Sequence, residues 1–88
     1  MPTLCMFFGI IITMFREVGG KHHMPHFHAE YQGDVAIIGF NGDVLEGTLP
    51  SKKLRQVLVW ADLHQEELVA NWKLICDGRD HFRIDPLR

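Results

Sequence analysis

Cysteine is scarce in this 88-residue chain, which has only Cys5 and Cys76. A disulfide framework needs more, and the two do not have the close spacing of a metal-binding pair. The expectation is reduced thiols in a cytoplasmic protein. Basic charge is short too: nine Lys and Arg against eleven Asp and Glu leave a net charge of −2. A dedicated nucleic-acid binder usually carries a basic face, so only a local basic patch stays open. The most apolar stretch, Leu4 to Phe15, covers about a dozen residues, where a membrane-crossing helix needs about twenty. It has no positively charged leader and no small-residue cleavage site, so a secretory signal is not expected. There is no repeat, linker or low-complexity segment. One domain spanning residues 1–88 is expected. A chain this short buries only about two-thirds of the surface its unfolded form exposes.

The first half has the character of β-structure. Thr3 to Phe8 is an apolar run, Gly9 marks a turn or bulge, and Ile10 to Phe15 is β-branched and aromatic, as strands prefer. Gly19-Gly20 interrupts the pattern. His26 to Tyr31 reads as a strand, Gln32-Gly33-Asp34 as a turn and Val35 to Phe40 as the next strand. Asn41-Gly42 is the strongest short hairpin signal, with Val44 to Gly47 returning. The second half is helical over about residues 51–77. Ser51 is the candidate N-cap, and Leu54, Val57, Leu58 and Ala61 follow helical spacing. Leu68, Trp72 and Ile75 continue the stripe. Glu66 and Glu67 suit the first turn of a second helix, which leaves one helix or two with a break near His64. Asp77-Gly78 ends the segment. His81 to Asp85 reads as a short last strand. The fold class is α+β: an antiparallel sheet of four to five strands with one or two C-terminal helices packed on one face.

Four of the six histidines fall in seven positions, His22, His23, His26 and His28, with Pro25 among them. Histidine titrates near neutral pH and is the commonest metal ligand. On a strand, residues two apart share a face, so His26 and His28 project together, roughly 7 Å apart, with Phe27 on the opposite side. Pro25 fixes its own φ and pushes Met24 toward an extended conformation. His22 or His23 folding back adds a third ligand, which with water makes a catalytic-type arrangement for a divalent metal such as zinc or nickel. The same pair could act as acid and base, as in a metal-free ribonuclease, making His26 and His28 the candidate catalytic residues. An exposed histidine pair on a strand edge needs no ligand at all. His64, on the apolar helical stripe, reads as a satisfied, partly buried side chain. Lys52, Lys53 and Arg55 read as a solvated face, and Trp60 and Trp72 as core or interface anchors. Glu30 and Glu46 offer carboxylates if their strands neighbour the histidine strand.

Several segments together resemble one known family. They are Met1-Pro2-Thr3 with Phe7-Phe8-Gly9-Ile10-Ile11-Ile12, Pro25 to Tyr31, Leu45 to Pro50, Trp60-Ala61-Asp62-Leu63-His64, Glu67-Leu68, Asn71-Trp72 and Ile84-Asp85-Pro86-Leu87. The chain looks like a member of domain-of-unknown-function family 4160, small prokaryotic proteins with a Pro-His-Phe-His motif. The family pattern runs histidine, any residue, two prolines, then His-Phe-His. Here His22, Pro25, His26 and His28 match it, Met24 replaces the first proline and His23 matches no family histidine. The resemblance implies no assigned activity. It does imply a setting like one half of a two-gene toxin–antitoxin system.

Three functions follow as expectations. The first is a cytoplasmic interaction module that binds the product of an adjacent gene. The second is a metal-binding domain using His22, His26 and His28, and the third is a small ribonuclease. The apolar strands also point to self-association, most simply a two-fold dimer.

Overall fold

A computed structural model describes residues 3–16 and 24–88. Five strands form one antiparallel sheet: β1 (Thr3–Phe7), β2 (Ile10–Thr13), β3 (His26–Tyr31), β4 (Asp34–Gly39) and β5 (Val44–Gly47). Their order in the sheet is their order in the chain, β1-β2-β3-β4-β5. Two helices follow, α1 (Ser51–Leu63) and α2 (Gln65–Cys76), completing the expected α+β architecture.

Strand register sorts the side chains into rows. Cys5, Ile12, Ala29, Ala36 and Gly47 lie opposite one another across the five strands, and Phe27 faces Ile38 and then Val44. These rows form the inner face. Their buried members, with Val57, Trp60, Ala61 and Leu68 from the helices, make the core. Phe27 packs edge-on to Trp60 at 5.9 Å between ring centroids, and Phe7 lies 5.6 Å from the same indole. The alternate rows face outward. One runs Thr3, Thr13, His28, Ile37 and Glu46, and the other Met6, Ile11, Glu30 and Val35. Both helices belong to the inner side; on the outer side Phe15 stacks on His28, and Trp72 of α2 meets His26.

The turns divide in an unexpected way. Phe8-Gly9 and Gln32-Gly33 both have two consecutive positive φ values, 49° and 80° in the first and 47° and 87° in the second. That is the type I′ geometry that matches strand twist. Asn41-Gly42, the strongest hairpin signal in the sequence, instead lies in a wider loop. There Gly42 N–H donates to Gly39 O and Gly39 N–H to Asp43 O. The Asn41 side chain accepts from Asp43 N–H at 3.1 Å, so it serves its own loop rather than a two-residue turn.

Helix α1 starts at the residue expected to cap it. Pro50, at φ −52° and ψ 142°, holds the N-cap position without a side-chain cap, and Ser51 is already helical. Leu54 N–H donates to Pro50 O at 2.9 Å. The break at His64 makes two helices, and Glu66 and Glu67 occupy the first turn of α2. At its end Gly78 N–H donates to Ile75 O and Arg79 N–H to Leu74 O, the paired bonds of a Schellman cap.

The expected last strand at residues 81–85 does not form. This segment is held by scattered hydrogen bonds to three different elements instead of by a ladder. Ile84 N–H donates to Leu4 O at 2.9 Å, and Asp85 O accepts from the Trp60 indole at 2.8 Å. The buried Asn71 amide both accepts from Phe82 N–H and donates to Phe82 O.

Candidate functional site

His26 and His28 project from the same side of β3, as their spacing requires, with ring centroids 5.6 Å apart. Their surroundings differ. His26, opposite Gly39, is 1% exposed, and its Nδ1 lies 2.8 Å from Met24 O. A carbonyl can only accept, so Nδ1 carries a proton and donates a hydrogen bond to Met24 O. Its ring also meets the Trp72 indole at 5.3 Å, and Trp72 meets Phe40 edge-on at 6.0 Å. This aromatic contact ties the start of β3 to α2. His28 is half-buried on the outer face, where Phe15 stacks on it at 4.5 Å and 20°.

Beside His28 is a small cavity of about 110 Å³ lined by Thr13, Phe15, His28, Glu30 and Val35. Register explains the grouping: Thr13 lies directly across from His28, and Glu30 directly across from Val35. Glu30 is on the histidine strand itself, two residues from His28 and on its face. Glu46 lies in the same row as His28 two strands away, which at ordinary strand spacing is roughly 10 Å.

The other sequence candidates lie elsewhere. His22 and His23 fall outside the described residues. His64 packs on Trp60 at 5.6 Å, and its Nδ1 lies 2.7 Å from Glu67 Oε1, making it the satisfied, partly buried side chain its position implied. His81 is exposed. Lys53 donates to Phe8 O at 2.9 Å and stands over the Tyr31 ring at 4.8 Å, so it braces the first turn from the inner side. Trp60 is wholly buried, the core alternative of its two sequence readings, and packs on Phe7 and Phe27. Trp72 keeps partial exposure. Among the described residues, no group of three or more His, Cys, Asp or Glu side chains is arranged to hold a metal ion, and no helix is long and apolar enough to cross a membrane.

Sequence reasoning missed two contributors. Phe15 reads in the sequence only as part of a strand, yet it lies beyond the end of β2 and forms one wall of the cavity. Its period-two spacing from Thr13 was the available signal. Asn71, which fastens the segment after α2, has no periodic signature at all.

No match emerges among curated proteins or among solved structures. A protein-family model, "Domain of unknown function (DUF4160)", matches residues 9–73. That match takes in both helices almost entirely, four of the five strands and every residue of the outer cavity, and the chain belongs to this family.

Proposed function

We propose that this protein is a small interaction module that binds a second protein through the outer face of its sheet, as one half of a two-gene pair of the toxin–antitoxin kind. One observation carries the reading: among the described residues the helices pack on one face of the five-stranded sheet, and the opposite face carries a group of exposed apolar side chains. Met6 is 57% exposed and Val35 42%, with Phe8 at 49% in the adjoining turn. Ile11 and Ile37 complete the rows between them. Exposed apolar side chains grouped on one face mark interaction surfaces more often than scattered ones do. The test is co-expression with the product of the adjacent gene, followed by size-exclusion chromatography. A stoichiometric complex is expected for the wild type, and it should be lost in Met6→Lys/Val35→Lys, whose sites are exposed enough to leave the fold intact. Absence of any complex, or a complex indifferent to the double substitution, overturns the reading. Two copies of this chain eluting together without the neighbour would assign the face to a homodimer.

A second reading, a divalent-metal site, draws on the shared face of His26 and His28. The Met24 carbonyl fixes the His26 tautomer in the way that second-shell carbonyls orient metal-ligating imidazoles, and His22 would be the third ligand. Stoichiometric zinc or nickel in untagged protein, absent from His26→Ala/His28→Ala, is the expected result. Equal metal content in the two proteins refutes it. No described feature favours the ribonuclease reading.

A further inference from the structure

We infer that the outer-face cavity beside His28 receives a single Lys or Arg side chain from a partner protein. This rests on the interaction reading above and names the contact chemistry.

Size comes first. Small-molecule sites usually enclose about 300–1,000 Å³, and this cavity holds about 110 Å³, which suits one long side chain better than a metabolite. Its walls suit the two parts of a basic side chain. The stacked Phe15 and His28 rings and Val35 give an apolar, π-rich surface for the methylene stem and a favourable neighbour for the cation. Glu30 supplies the carboxylate, and its own ladder neighbours Ile11 and Val35 carry no charge. Thr13 adds a hydroxyl.

Charge identifies the source. The charged side chains in the two described outer rows are Glu30 and Glu46, and no Lys or Arg among the described residues stands in them. Arg16 turns toward α2, where it reaches Cys76 O, and Lys53 is held by the first turn. A second copy laid on this face through the same rows would set its own Glu30 against the first, and like charges repel across an interface. A different protein with Lys or Arg set among apolar residues complements it.

Edge pairing is the less suitable mode for a partner strand. The outer edge of β1 takes the Ile84 N–H on Leu4 O. At the other edge β5 has only four residues and a register break opposite Ile37/Ile38, and short, bulged edge strands resist strand addition. The face is left as the binding surface.

Selection of a random dodecapeptide display library on the immobilised full-length protein tests this. Enriched peptides are expected to carry Lys or Arg flanked by apolar residues. Their binding should weaken about tenfold in Glu30→Gln, a near-isosteric change that removes one charge-assisted contact. Replacing the basic residue of a selected peptide by norleucine should cause a similar loss, and the two losses should not add. Peptides without a basic residue, binding indifferent to Glu30→Gln, or an empty selection each overturn the pocket. Persistence of the complex with the neighbouring gene product in Glu30→Gln would keep the interaction module and remove only this contact. Loss of the complex in the wild-type experiment would remove the module itself.

Discussion

Gly47 closes β5 at φ +73°, and a Cβ built there falls on the Val35 carbonyl oxygen of the neighbouring strand. Gly33 has nearly the same backbone, φ +87°, but a Cβ there meets nothing within 4 Å. Alanine at the two sites therefore separates conformational strain from steric conflict. The strain is common to both and amounts to roughly 1 kcal/mol. At Gly47 the methyl group also has to push β4 and β5 apart. Loosening the few ladder bonds of a four-residue strand adds about 1 kcal/mol for each bond weakened, for a total near 3 kcal/mol. A domain of this size has only about 5–10 kcal/mol to lose. Gly33→Ala should then lower Tm by about 5 °C and Gly47→Ala by about 15 °C or more, measured by circular dichroism during heating with urea titration as the second scale. Equal losses at the two sites would refute the argument, because they would mean that Val35 moves aside without disturbing the β4–β5 pairing.

Asn71→Ala removes both bonds to Phe82 and leaves its backbone groups without their amide partner; a loss of about 2–3 kcal/mol is expected, with increased proteolysis after α2 as an independent readout. Phe8→Asn places a residue suited to left-handed φ at the first position of a type I′ turn and should raise Tm by a few degrees; an unchanged or lower Tm would show that the Phe7–Phe8 contact outweighs the strain. Burial holds the Cys5 thiol above its usual value of 9.0. The neutral form is the favoured one in the folded protein, so the associated stability is present below pH 9 and is lost as pH rises through the folded value. Wild type should lose stability above pH 9 more steeply than Cys5→Ala, and identical pH profiles would count against this. In the native protein Cys76, which is half-buried, should react with a thiol reagent well before Cys5.

Much of the sheet was legible because its signals are local. His26 to Tyr31 and Val44 to Gly47 were assigned with the boundaries found, since alternation and turn residues act over a few positions. The identity of the tight turns was not. Asn41-Gly42 is the stronger motif, but its side chain is engaged within its own loop, whereas Phe8-Gly9 adopts the tight geometry because Lys53 and the paired strands on either side impose it. The shared face of His26 and His28 followed from period two. The near-complete burial of His26 did not, because it depends on Trp72, forty-six positions further along. The segment at residues 81–85 has the β-branched and aromatic composition of a strand, but the β1 edge offers it a single bond at Leu4, and Trp60 and Asn71 take the rest.

The meander order of the sheet also sets a timetable for synthesis. Each strand pairs with the one made just before it, so the whole ladder can assemble on the ribosome by the time residue 47 has emerged, through short-range contacts that form quickly. Its inner face, with Phe27, Ile12 and Ile38, then stays bare until residues 51–76 arrive to cover it. On the outer face Met6 and Val35 stay exposed even then. During that interval the nascent sheet is greasy on both sides and vulnerable to aggregation.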